Sequence, residues 1–175
     1  MAIEFSMLDA IQTLRFDFLD GLMVAITTLG NGGAVWIVIG LIMLLFKKYR
    51  RAGAALLLGL LFGLVCGNLV IKNLVARVRP CAINTAIELL IPFPSEYSFP
   101  SGHTLSSFIG ATCIFLRDKR LGVPAYLLAS LIAFSRLYLY VHFPSDIIGG
   151  ALLGLALAYL AFKIMKKPRW CLLGD

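Results

Sequence analysis

The chain has 175 residues, 60% of them hydrophobic and 14% charged, with a mean hydropathy of +0.91. Soluble domains average about 45–50% apolar and about 25% charged residues, so this composition excludes a water-soluble globule, a disordered chain and a disulfide scaffold and asks for a bilayer as solvent. The net charge of +7 lies between apolar runs, where it bears on membrane topology or an anionic ligand and not on nucleic acid.

In chain order, residues 6–30 read as an interfacial amphipathic helix. Leu8, Ile11, Leu14, Phe18 and Leu22 share one side of a helical wheel, and Asp9, Thr13, Asp17 and Asp20 share the other. Asn31-Gly32-Gly33 ends it. No basic n-region precedes it and early charges interrupt any h-region, so no secretory leader is expected. Five apolar runs follow, at residues 34–46, 52–71, 104–116, 121–135 (continuing to 141) and 147–165. At about 20 residues per span, they predict about five transmembrane helices. The expected fold is an all-α polytopic membrane bundle over residues 34–165, within a single domain 1–175. The first and third runs are short and must recruit flanking residues. Gly59, Gly63 and Gly67, spaced by four, permit close helix packing. Cys66, Cys81, Cys113 and Cys171 form no framework and read as idle thiols.

The basic residues orient the bundle. Lys47, Lys48, Arg50 and Arg51, then Arg117, Lys119 and Arg120, then Lys163, Lys166, Lys167 and Arg169 mark ends that alternate onto one side. Positive residues accumulate on the cytoplasmic side. Lys72, Arg77, Arg79 and Arg136 fall at the opposite, outer ends, where that rule does not call for them. Ionisable residues near a span point to function.

The outer ends also hold the chain's other polar oddities. Lys72 and Arg79 are seven residues apart, two helical turns, which predicts one helix face and a separation of roughly 10 Å along the axis; Arg77 points elsewhere, and Pro80 ends the helix. Pro100-Ser101-Gly102-His103 opens the third run. The first turn of a helix offers free N–H groups to an anion, Gly102 permits close approach, and Ser101 adds a hydroxyl. Ser135-Arg136 is followed by His142 and, four residues later, Asp146. Ser145 is expected to cap the last helix, with Asp146 in its first turn reaching back to one imidazole nitrogen so that the other presents a lone pair. Both histidines of the chain thus stand beside helix starts at one level, among cations. The constellation describes phosphoryl transfer through a covalent phosphohistidine, with no metal and no cofactor expected.

These motifs resemble the type 2 phosphatidic acid phosphatases, the lipid-phosphate phosphatase family whose site is shared with vanadium haloperoxidases. Lys72 through Arg79-Pro80 matches the first motif, Pro100-Ser101-Gly102-His103 the second, and Ser135-Arg136, His142 and Asp146 the third. The resemblance implies that His142 attacks phosphorus and Asp146 orients it. His103 would protonate the leaving alkoxide and then activate water, while Lys72, Arg79, Ser101, Gly102 and Arg136 hold the phosphoryl oxygens. It implies a metal-independent, all-α enzyme of the cell membrane, with its site on the non-cytoplasmic face. The substrate would be a lipid phosphate or, as the alternative, a polyprenyl diphosphate such as the undecaprenyl carrier. A soluble haloperoxidase does not fit five spans, and a non-catalytic lipid-binding or transport protein does not need the two histidines and the aspartate.

Overall fold

A computed structural model describes residues 1–165, which are helix, turn and loop, with no strand among the described residues. Lys166, Lys167, Arg169 and Cys171 lie outside the described residues. The amphipathic segment is two helices rather than one. α1 (Ala2–Gln12) stops at Thr13, whose hydroxyl donates to the Ala10 carbonyl at 2.8 Å, and α2 (Asp17–Leu29) begins after an extended Phe16. Asp17 and Asp20, placed by the wheel on a polar face, lie in the first turn of α2, where free N–H groups and the helix dipole favour carboxylates. The wheel assumed an unbroken helix, and the break rotates its second half. Leu8 is fully buried as a result, whereas Phe18 is 74% exposed.

The Asn31–Gly33 turn is where the sequence places it. Gly32 and Gly33 take φ of 59° and 71°, a region that side chains disfavour, and the chain bends by 43° into α3 (Ala34–Leu45). α2 and α3 together are long and apolar enough for one bent span, which supplies the length that the short first run lacked.

α4 (Arg50–Phe62) continues through Gly63–Ile71, wound with i→i+5 hydrogen bonds, into α5 (Lys72–Val75). Such π-helical stretches are rare and often accompany functional sites. Ala76 takes φ of 47° and the helix stops there. Lys72 and Arg79 therefore do not share a helix face. Arg79 is extended (φ −74°, ψ 151°) ahead of Pro80, which opens the one-turn helix α6 (Pro80–Ile83) instead of closing a longer one.

α7 (Gly102–Arg117), α8 (Lys119–Tyr138) and α9 (Pro144–Met165) complete the bundle. α7 is the central helix, packed on α4, α8 and α9. A Cβ at Gly59 or Gly63 would lie 2.8 Å from the Ile109 side chain, and Gly67 faces Leu105, so the glycine stripe forms the seam with α7. Trp36 is fully buried and donates its indole N–H to Ser107 Oγ at 2.9 Å. A second core of Leu8, Cys81, Leu139, Tyr140, Val141 and Phe143 ties α1 to the α8–α9 turn.

The stretches Arg50–Ile83, Lys119–Tyr138 and Pro144–Met165 are each long and apolar enough to cross a membrane. Their outward residues form an apolar belt, Leu69, Leu127 and Leu152 being 58%, 63% and 62% exposed. A surface of that character needs lipid over it. The chain is a multi-pass membrane protein.

Candidate active site

The α8–α9 turn is built from inside. Tyr140 has φ of 58°, and Pro144 occupies the first position of α9. Asp146 reaches back so that its Oδ2 accepts from the Phe143 N–H at 2.8 Å, which caps the helix. Ser145, expected as the cap, instead donates its hydroxyl to Glu4 Oε1 at 2.5 Å. The local spacing cannot foresee this, because Glu4 is 141 residues away in sequence.

Asp146 Oδ2 also accepts from Ser98 Oγ at 2.5 Å and lies 3.5 Å from His142 Nδ1. The other ring nitrogen, Nε2, is 3.1 Å from Arg79 Nη1. A guanidinium only donates, so Nε2 accepts and the proton of the neutral ring sits on Nδ1, toward Asp146. Burial pushes the His142 pKa down to about 3, with the Asp146 hydrogen bond opposing it. The ring is therefore neutral near pH 7, and its Nε2 lone pair sits at a cavity of about 690 Å³.

Lys72, Arg79, Gly102, His103, Arg136 and His142 all line that cavity. Arg79 Nε donates to the Glu96 carbonyl at 2.6 Å and Nη1 to the Val141 carbonyl at 2.8 Å, so it clamps two loops while facing Nε2 of His142. Arg136 Nη1 donates to Thr27 Oγ1 at 2.6 Å, while its buried Nε has no partner. Lys72, Arg79 and Arg136 are 5%, 6% and 4% exposed. Cations withdrawn from water to this degree need compensating anions, and an unpaired buried N–H is costly. Glu96 offers one: its Oε2 lies 2.6 Å from Lys72 Nζ. The hydrogen bond from Lys72 is the main cause that holds the Glu96 carboxyl below its ordinary range, and the Lys72 charge adds to it. The remaining charge is free for a ligand such as a phosphoryl group.

Ser101 caps α7. Its hydroxyl oxygen accepts from the Thr104 N–H at 3.4 Å and from Thr104 Oγ1 at 3.0 Å, and the side chain is fully buried behind the cavity wall. Gly102 does line the cavity, and a Cβ there would lie 3.0 Å from Asn68 Oδ1. The glycine thus makes room for a neighbouring amide. His103 Nε2 lies 2.9 Å from Asn31 Oδ1, so the interhelical turn orients this second histidine.

The structure brings the two histidines and three cations of the sequence motifs to one cavity, with Asp146 and Ser101 directly behind it. Sequence reasoning passed over Asn68, Ser98, Glu96 and Glu4, and gave Asn31 only the turn. Asn68 had a legible signal as the one amide in a twenty-residue apolar run. Arg77 does point away from the Lys72–Arg79 pair, but its guanidinium meets Asp146 from behind, Nη1 donating to Oδ1 at 2.6 Å.

The family profile described as the PAP2 superfamily matches residues 49–170, which contain all three motifs. An undecaprenyl-diphosphatase of Sulfolobus acidocaldarius is 36% identical over 147 residues, 83% of this chain and 70% of that one. Among solved structures, LpxE of Aquifex aeolicus superimposes with a TM-score of 0.82 at 27% identity, over 93% of this chain and 96% of that chain. A transmembrane PAP2-type phosphatidylglycerolphosphate phosphatase from Bacillus subtilis does so with a TM-score of 0.77 at 29% identity, over 97% and 88%. By profile, sequence and fold alike, this chain belongs to the PAP2 superfamily.

Proposed function

We propose that the chain is a lipid phosphatase that removes a terminal phosphate from a membrane lipid through a phosphohistidine. The observation that carries this reading is the shape of the cavity. Its polar end is the cation–histidine cluster, and its other wall is apolar, formed by Ile37 of α3, Leu57, Leu60 and Leu61 of α4, and Leu64 beyond it. Ile37, Leu61 and Leu64 are exposed on the apolar belt. A lipid can therefore present its phosphate to His142 while its tail stays in the bilayer, and a water-soluble ester gains nothing from that wall.

In this mechanism Nε2 of His142 attacks phosphorus, and the bond to the lipid oxygen breaks. His103 gives a proton to the departing alkoxide. It then takes one from the water that attacks the phosphohistidine, releasing inorganic phosphate and restoring the neutral His142. Asp146 stabilises the charge that builds on the ring, and Lys72, Arg79 and Arg136 neutralise the equatorial oxygens. A polyprenyl diphosphate is the second reading, favoured by the similarity to the Sulfolobus acidocaldarius undecaprenyl-diphosphatase. Its inner phosphate would need a further cation, and the nearby Arg77 is already paired with Asp146 and Glu4.

The test is phosphate release from detergent-solubilised lipid phosphates and diphosphates beside short soluble esters, in EDTA. Lipid substrates should exceed the soluble ester in kcat/KM by at least about tenfold, roughly 1.4 kcal/mol of tail-derived discrimination. Equal efficiencies would refute the lipid assignment, and loss of activity in EDTA restored by magnesium would refute the metal-free chemistry.

The same reading places the cavity mouth on the non-cytoplasmic side, from the basic residues at the opposite helix ends. In a cysteine-free background, Phe93→Cys on the 84–101 loop should be labelled by an impermeant thiol reagent from outside, and Lys47→Cys should be protected. The reverse pattern would invert the topology.

A further inference from the structure

We infer that Arg77 and Glu4 are positioning residues that hold Asp146, and through it His142, in working geometry. The inference rests on the phosphatase reading above. Asp146 uses Oδ2 for Ser98, the Phe143 N–H and the approach to His142. Its Oδ1 is held by Arg77 Nη1 at 2.6 Å. The same Nη1 donates to Ser145 Oγ at 2.6 Å, and Nη2 donates to Glu4 Oε2 at 2.8 Å. Glu4 closes the ring, its Oε1 accepting from Ser145 Oγ and from the Ser145 N–H at 3.2 Å. The Arg77 guanidinium also lies over the Phe143 ring, 4.1 Å from its centroid. Neither Arg77 nor Glu4 lines the cavity, so each acts through Asp146 rather than on substrate.

Two physical effects follow. With both oxygens bonded, the Asp146 carboxylate cannot rotate away from Nδ1, and alignment of the nucleophilic imidazole governs the chemical step. Arg77 alone would add a cation beside Lys72, Arg79 and Arg136 and draw the charge of Asp146 away from the imidazole. Glu4 on its far side offsets that charge while leaving the hydrogen bonds in place. Burial by itself would raise the Glu4 pKa, but the Ser145 hydrogen bonds and the Arg77 charge outweigh it and keep Glu4 ionised.

Glu4 can serve this role because α1 is fastened across the turn that carries His142. Leu8 is fully buried, and Phe5 meets Phe143 edge-on at 5.3 Å. Asp9 accepts from the Tyr140 hydroxyl at 2.7 Å, and the Gln12 amide donates to the Tyr138 carbonyl at 3.0 Å. The N-terminal helix is thus a clasp over the nucleophile's turn.

The experiment compares R77Q, R77K, E4Q and the E4Q/R77Q double variant with wild type on a lipid phosphate, with H142A as control. R77Q should lower kcat about tenfold with KM within about twofold, R77K should recover part of that loss, and E4Q should cost about threefold. Because Glu4 acts through Arg77, the double variant should be no slower than R77Q. If R77Q does not fold, R77K and E4Q carry the same kcat-against-KM comparison. An R77Q enzyme within twofold of wild-type kcat, a rise confined to KM, or additive losses in the double variant would each overturn the inference while an inactive H142A leaves the phosphatase reading standing. An active H142A would overturn both.

Discussion

Replacing His142 with Ala is expected to abolish phosphate release, by at least about 10⁴-fold, because no other side chain can take over a covalent step. The acid-labile phosphoenzyme expected on quenching wild-type turnover should disappear with it. His103 is held by Asn31 in a separate turn, so it cannot substitute as nucleophile. The ionisation of His142 also sets a pH signature. Its pKa falls from an ordinary 6.5 to about 3 on folding, chiefly through burial. The nucleophile is then already neutral between pH 5 and 8, and any inflection of kcat/KM in that range belongs to the substrate phosphate. For stability the sign is that of a depressed pKa. The unfolded chain binds the extra proton, so the contribution is intact above about pH 6.5 and is lost as pH falls through about 3. The unfolding midpoint should decline across that window, and His142→Gln should flatten the decline. A fully active His142→Ala enzyme would end the covalent mechanism.

Arg79→Gln should cost about 10²–10³ in kcat/KM, the range seen when one preorganised donor to a developing oxyanion is removed. Three functions are lost at once: a cation at the phosphoryl oxygens, the donor to Nε2 of His142 that fixes the ring tautomer, and the clamp from the Glu96 carbonyl to the Val141 carbonyl. Arg79→Lys keeps the charge but not the fork, so it should recover only part of the rate. A ratio of Arg79→Lys to wild-type activity near one would mean that charge alone matters and that the clamp contributes nothing. Binding of vanadate, read by inhibition, should weaken in both variants.

The fold was legible where the bilayer does the selecting. Long apolar stretches without charges can only be helices in hydrocarbon, and the glycine stripe that runs from α4 into the segment beyond it found its partner in α7. Legibility failed at helix breaks. The wheel over residues 6–30 treated Asp17 and Asp20 as a polar stripe, whereas they mark a new helix start. The two-turn spacing of Lys72 and Arg79 assumed a helix that Ala76 ends. Both arginine and lysine nevertheless reach the same cavity, because the chain after the break turns back toward it.

What the sequence determined by itself is what acts at short range or through the solvent. Apolar runs determine the helices, the Asn31–Gly33 turn determines the bend, and the i,i+4 spacing of His142 and Asp146 across a proline-started helix determines their approach. The tertiary structure alone decided who surrounds them. Ser98 on Asp146, Glu96 on Lys72, Thr27 on Arg136 and Glu4 on Ser145 join residues 24 to 141 positions apart. Local propensities are blind to such distances, because a contact of that kind exists only once the helices have packed and closed the chain between them.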